Sequence, residues 1–436
     1  METSVQNNNP RNERTGVKLI IISLLCLLLL IPWLLIRNMI SERNSTQREA
    51  ESEVYEKWGT TQVVKGPAIK VYPQAADNKK EDLSFSLLPE TLDIVGDVRT
   101  RTLSRGIYDF TVYDADITMK GVFLMPASIS EAQRNTLAQR SSWSMAIDLS
   151  SLKGLTDNPA ITVGGRTLTP QEVSNEGTRL LWNVDVAPLL KGDSIAYEIH
   201  LPLRGSRSLD FTPMGNTTSV RLHSDCATPS FGGDFLPTER TVTDDGFDAE
   251  WRVLALNRSF SQIVPKGEWS EVRSCSFGVE LRRPVDQYQQ NERAAKYAFL
   301  IVLLTFAVVF FVEVRREHPI HPVQYLLIGI AIMLFYTLLL SFSEHLSFFV
   351  AYLIASVMTV AMITLYMGAI MRDRKVGLLI GGLLAVLYAF IYILLQIESY
   401  ALLVGSVALF ALLGAAMAAS RKIDWYRNSS VVLSSK

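Results

Sequence analysis

Hydrophobic and polar positions follow two different rhythms along this chain. Six apolar runs sit toward its ends: Leu19–Ile36, then Tyr297–Val314, Val323–Phe342, Leu346–Met371, Val376–Leu395 and Tyr400–Ala419. Leu19–Ile36 is broken only by Ser23, Cys26 and Pro32, and at 1.5 Å per residue it reaches about 27 Å as a helix, enough for the hydrocarbon core of a bilayer. Each of the other five is at least as long. Between the first and second runs the rhythm changes. Residues 41–57 are charged and free of Gly and Pro, so they extend the first helix beyond the membrane. After Gly59 come short β-rich stretches, several of them alternating: Thr60–Val71, Leu83–Leu88, Ile107–Tyr113, Ile117–Met125, Ser144–Leu149, Arg179–Val186, Ser194–Leu203 and Ser276–Leu281. Pro73, Pro89, Gly164-Gly165, Gly192-Asp193 and Gly215-Asn216 punctuate them. Ser128–Arg140 is a candidate short helix.

These patterns predict a polytopic α-helical membrane protein, with one N-terminal and five C-terminal transmembrane helices and a large all-β, antiparallel sandwich-like domain between them. The expected boundaries are a tail over 1–18, an anchor helix over 19–40, a β-rich domain over 41–296, a five-helix bundle over 297–419 and a second tail over 420–436. Nothing small enough for a leader-peptidase site follows Arg37, so the first run reads as an uncleaved anchor, kinked near Pro32.

Charge orients the arrangement. Arg11, Arg14 and Lys18 precede the first span; Arg315 and Arg316 follow the second; Arg372, Arg374 and Lys375 follow the fourth; Arg421, Lys422 and Arg427 follow the sixth. The loops Ser343–His345 and Ile397–Ser399 hold no Lys or Arg. Positive charge stays on the cytoplasmic side. Both termini are therefore expected inside, with residues 41–296 outside, in a multi-pass membrane protein.

Composition narrows the chemistry. With 48% hydrophobic residues and 42 basic against 43 acidic side chains, there is no clustered basic footprint for nucleic acid. The C-terminal spans carry almost no ionisable groups, Glu313 at a membrane edge being the exception, which argues against proton or ion coupling. Small residues recur every fourth position at Gly377, Gly381, Ala385 and Ala389; they serve close helix packing, within one chain or across a homo-oligomer face at Gly377 and Gly381. Cys226 and Cys275 form a candidate disulfide, whose loop of about 50 residues would contribute about 3–4 kcal/mol; two buried free thiols are the alternative.

Catalytic signatures are thin. Ser150-Ser151-Leu152-Lys153 matches S-x-x-K but has no K-T-G partner and sits at a strand end. Nucleophile elbows, zinc-protease motifs, phosphate loops and dinucleotide fingerprints are absent from the sequence. His318 and His321, framed by Pro319 and Pro322, read as a rigid turn rather than a metal site. No catalytic residue, metal ligand or cofactor is expected. Two segments invite an interaction. In Phe231–Pro237 a Gly-Gly-Asp turn is flanked by Phe231 and Phe235, with Asp234 placed to cap it; this is a structural corner, or an aromatic tip meeting lipid, glycan or partner. Asp286, Tyr288, Arg293 and Lys296 precede the second span as interface anchors, or as a junction in which Arg293 pairs with Glu344 beside His345.

Several of these blocks occur together in order: Pro229-Ser230-Phe231 through Pro237, Asp286-Gln287-Tyr288, Arg293, Ala295-Lys296-Tyr297, His321–Leu327, Phe335-Tyr336, Ser343-Glu344-His345 and Ile423-Asp424-Trp425-Tyr426. Over nearly its full length the chain resembles the inner membrane protein CreD family of Gram-negative bacteria. That resemblance implies a link to a two-component regulatory system, to envelope integrity and to tolerance of colicins and β-lactams, and carries no catalytic residues. The leading expectation is a non-enzymatic protein supporting envelope integrity and the response to stress and antibiotics. A lipid- or amphiphile-handling transporter is one alternative, and a membrane sensor that partners a histidine kinase is the other. Expected partners are the lipid bilayer and envelope proteins or such a kinase.

Overall fold

A computed structural model describes residues 10–73, 84–168, 172–173, 178–281, 287–316, 318–397 and 401–420. Two compact units emerge: Gln47–Pro284, and Met1–Thr46 with Val285–Lys436. Asp286, both tails beyond residues 10 and 420, and the Glu398–Tyr400 loop lie outside the described residues.

The first of these units is built from two large sheets that share a single hydrophobic core. Its backbone is the long hairpin of β3 (Thr91–Arg105) and β4 (Tyr108–Phe123), paired antiparallel along its whole length. In β3, Leu92, Ile94 and Val98 are buried while Asp93 and Val95 are exposed, as the two-residue period of a half-buried strand requires. The sequence suggested two strands where β4 is one. Asp114 and Asp116 resemble a break, but both face outward, where Arg101 lies 2.8 Å from Asp114 and His200 3.1 Å from Asp116. Ala115 between them is buried.

Beside this hairpin lie β10 (Ile195–Ser206) and β12 (Thr217–Ser224), the latter paired with β15 (Gly246–Leu254). β15 went unpredicted because charge at alternate positions hides its apolar face: Phe247, Ala249, Trp251 and Val253 are buried, and Asp248, Glu250 and Arg252 are exposed. The second sheet centres on β1 (Gln62–Pro73), flanked by β5 (Ser141–Leu149), β11 (Ser208–Phe211) and β2 (Phe85–Leu87). Among the described residues, pairing is mostly antiparallel, as expected, with two exceptions: β1 runs parallel to β11, and β12 parallel to β3. Both join segments far apart in sequence, which no hairpin turn can signal. The candidate helix is α3 (Glu131–Arg140), closed by a capping box of Ser130 and Gln133.

Trp182 on β9 (Arg179–Asn183) and Trp251 are wholly buried in the common core. Tyr113, also wholly buried, donates from its hydroxyl to the Ser208 carbonyl at 2.8 Å, tying β4 to β11 in the other sheet. Replacing Trp251 with Ala is expected to cost about 3–5 kcal/mol through lost transfer energy and the cavity left behind, read as a lowered denaturant midpoint for the loss of β structure in the detergent-solubilised full chain. Gly121→Ala should be equally damaging, because a Cβ there would strike the Thr91 carbonyl.

The other unit is helical. Among the described residues, five helical segments are long and apolar enough to cross a membrane. The N-terminal one comprises α1 (Pro10–Leu28) and α2 (Leu30–Trp58); the rest contain α6 with α7 (Gln287–Lys296, Ala298–Arg316), α8 (Pro322–Ser343), α9 (Phe348–Ile370) and α10 (Arg374–Gln396). The sixth predicted span falls on α11 (Ala401–Ser420), also helical. The break at Leu29 follows from Pro32, whose missing N–H leaves the Leu28 carbonyl without its usual donor. Leu29 itself is buried, against Gly329 of α8. Gly377 and Gly381 are buried against Gly368 and Thr364 of α9, so within the chain they admit close α9–α10 packing.

Candidate functional site

Two polar clusters bind the N-terminal helix to the C-terminal helices, one at each end of the helical unit. The first forms around Glu313 in the last turn of α7, which is 6% exposed. The Lys18 ammonium of α1 pairs with it and also donates to the Ile320 carbonyl at 2.8 Å. The Ile320 N–H donates to Glu313 Oε1 at 3.0 Å, and the Tyr325 hydroxyl of α8 to Oε2 at 2.8 Å. The turn before α8 is shaped for this. His321 caps the helix, its Nδ1 accepting from Val323 N–H at 3.3 Å while Gln324 Oε1 accepts from His321 N–H at 2.9 Å, and Pro322 fills the first helical position. The His-Pro pattern therefore serves capping. Among the described residues no group of three or more His, Cys, Asp and Glu is placed to hold a metal. The sequence located Glu313 at a membrane edge without finding its partner, because Lys18 lies at the far end of the chain.

The second cluster surrounds Glu344, which ends α8. Its Oε1 accepts from the Tyr288 hydroxyl of α6 at 3.2 Å and lies 3.5 Å from the Arg43 guanidinium of α2. Beside it, buried Asn291 donates to Ser343 Oγ at 2.7 Å and to the Gln287 carbonyl at 2.9 Å. The Trp33 indole N–H reaches the Ala295 carbonyl at 2.9 Å. The structure thus gathers Tyr288, Ser343 and Glu344 with Arg43, Asn291 and Trp33. Arg293 is half-buried on α6, and His345 is exposed next to Glu344.

The Phe231–Pro237 segment belongs to the β unit. Phe231, on β13 (Pro229–Gly233), is half-buried, with its ring edge-on to Phe247 at 5.4 Å and to Trp251 at 5.8 Å. Phe235 meets Phe277 at 5.9 Å. Asp234 is exposed but engaged: its carboxylate accepts from Ser276 N–H at 3.0 Å, and its own N–H donates to the Ser276 carbonyl at 2.9 Å. Both rings turn toward the core and leave Leu236, 66% exposed, at the tip. That is the geometry of a structural corner. Gly233, at φ +90°, could not carry a Cβ without striking the Ser276 carbonyl.

The candidate disulfide does not form. Cys226 and Cys275 are both buried and free. Burial pushes the Cys275 thiol up to about 11, reinforced by the neighbouring Asp234 carboxylate, and burial raises Cys226 as well. Thiolate, the species that exchanges disulfides, is thereby suppressed at both positions.

The two helical clusters differ in burial, and their disruption should differ accordingly. Glu313→Leu alone strands Lys18 and is expected to cost about 3–5 kcal/mol, while the double change with Lys18→Met recovers most of it. Glu344→Gln should cost less than about 1 kcal/mol, since Arg43 is half exposed. Unfolding in mixed micelles with increasing SDS measures both; equal costs would refute the distinction.

The comparisons agree with this architecture. The family model described as inner membrane protein CreD matches residues 14–426. The inner membrane protein CreD of Escherichia coli (strain K12) is 31% identical over 421 residues, covering 92% of this chain and 91% of that protein. The match takes in both polar clusters and the whole β unit between them. The chain belongs to the inner membrane protein CreD family.

Proposed function

We propose that this protein works without catalysis as a structural element of the cell envelope, supporting envelope integrity and the response to stress and to antibiotics. The observation that carries this reading is the pair of clusters at Glu313 and Glu344. The β unit is inserted in the sequence between the N-terminal helix and α6, and the chain on either side of the insertion is fastened together at both ends of the helical unit. Such fastening suits a protein that presents an exterior domain from a fixed base.

In this reading both termini are cytoplasmic and the β unit is periplasmic. Support comes from the way the helices gather charge. Lys18 meets Glu313 near Arg315 and Arg316, and Arg316 lies 3.5 Å from Asp373 beside Arg374 and Lys375. Three basic segments that are distant in sequence therefore share one end of the unit, and the positive-inside rule supports a cytoplasmic location for that end. Glu344 and the exposed His345 belong to the other end.

Topology is tested by cysteine labelling in intact cells with a membrane-impermeant maleimide. His345→Cys should be labelled above the parent chain and Arg374→Cys only after permeabilisation; the reverse pattern would overturn the orientation. The role is tested by deletion and complementation. Loss of the gene should sensitise cells to detergent, chelator or β-lactam, with rescue by the parent chain and poor rescue by Glu313→Leu. Unchanged sensitivity after deletion would remove the basis for an envelope role.

A further inference from the structure

The outer face of the β1-centred sheet carries charge that the envelope reading does not use. Strand register sets out two polar rows across it. In one, Ser86 of β2, Lys70 of β1, Ser144 of β5 and Asn183 of β9 are successive cross-strand partners. In the other, Lys65 of β1, Asp148 of β5 and Arg179 of β9 are partners in the same way. Ala68 and Ala146 pair between the rows and leave a floor of small side chains. The rows lie about 13 Å apart along β5, four residues at roughly 3.3 Å each, and long basic side chains can converge across that distance.

α5 (Trp269–Ser274) covers this floor. The Lys70 ammonium lies 3.2 Å from the Trp269 ring centroid and donates to Ser86 Oγ at 2.9 Å. The Lys65 ammonium donates to the Arg273 carbonyl at 3.4 Å. Arg179 holds Asp148 in a two-point pair at 2.5 and 2.8 Å. The charged groups acting on Lys70 are Arg179, Asp148 and Arg273, and those acting on Lys65 are Asp148 and Arg273. Among the described residues, Lys65, Lys70 and Arg273 converge here beside a carboxylate, Asp148, both of whose oxygens Arg179 already engages. Burying unbalanced positive charge is costly unless an anion joins it.

We propose that Lys65, Lys70, Arg179 and Arg273 form a binding site for a phosphate-type oxyanion. Guanidinium groups match phosphate geometry in a forked fashion, and ammonium groups add point charges. Arg273 is exposed, and Lys65 and Arg179 are half-buried, so the anion enters from their side and Lys70 forms the back of the site. The state of Lys70 fits this role. Burial first, and Arg179 and Arg273 second, push its ammonium down to about 7. Its folded value lies below that of the unfolded chain. Between about 7 and 10.5 the unfolded chain therefore holds a proton that the folded chain lacks, and Lys70 makes stability rise with pH across that window. An anion seated beside it restores the proton.

The site does not rest on the envelope role, and its test is a direct binding measurement on the full chain in phosphatidylcholine nanodiscs. Inorganic phosphate and soluble dihexanoyl phosphatidylglycerol are titrated separately by calorimetry at about pH 8, in two buffers of different ionisation heat. Saturable binding with proton uptake is expected for at least one of them; phosphate alone identifies a free oxyanion, and the lipid alone a headgroup. Lys70→Met should abolish the uptake, and Arg273→Gln, at an exposed position, should weaken binding by about tenfold, the scale of one lost charge-assisted contact. Lys153→Gln, on an exposed lysine outside the cluster, should leave it unchanged. The proposal fails if neither anion binds saturably, or if Arg273→Gln binds as the parent does.

Discussion

A carboxylate withdrawn from water must find positive charge and hydrogen-bond donors, and in this chain that demand falls on Glu313. It ends an apolar helix and is almost wholly buried. Lys18, the Ile320 N–H and the Tyr325 hydroxyl meet it together. Each comes from a different part of the chain, so satisfying one acid brings together α1, α7, the capped turn and α8. The hydrophobic effect gives no direction to helices in lipid, because lipid tails are as apolar as the side chains they would replace. Polar contacts and close-fitting glycines supply that direction here. Leu29 against Gly329 continues the same seam between the N-terminal helix and α8.

The Glu344 cluster is the counterpart at the other end, and it is built with less burial. Its ion pair is partly solvated, while Asn291 and Ser343 hold a buried hydrogen bond beside it. A well-shielded charge pair at one end and a softer polar contact at the other make the N-terminal helix part of the bundle. The β unit obeys a different constraint. Its sheets bury alternate residues over a common core, and its polar side chains are free to carry chemistry on the outer faces. Asp234 shows how much of that polarity is structural: an exposed acid in a glycine turn serves to fix Ser276 beside it. Around Lys70, by contrast, Lys65, Arg179 and Arg273 bring basic groups together.

Much of the architecture was legible in the chain. Continuous apolar runs report helices that satisfy their own backbone in hydrocarbon, and the polar middle reported many short strands between turn residues. Among the strands that escaped, β3 and β15 set polar or charged residues against apolar ones at alternate positions, so average composition conceals them. The Asp114–Asp116 segment misled for the same reason: outward acids on a continuous strand look like a turn. The corner at Phe231–Phe235 was readable from its glycines and aromatic rings.

What the sequence determined by itself is whatever depends on neighbours along the chain: helix length, strand period, the capped His-Pro turn, the break set by Pro32 and the distribution of basic residues. Tertiary structure alone decided which distant groups meet. Lys18 and Glu313 are separated by 295 positions and Arg43 and Glu344 lie slightly farther apart, and no local pattern encodes such a pairing. The parallel contacts of β1 with β11 and of β3 with β12, the free state of Cys226 and Cys275, and the convergence of Lys65, Lys70, Arg179 and Arg273 belong to the same class. Each depends on strand register and helix packing, which are set by the burial of whole faces, and not by the residues that finally touch.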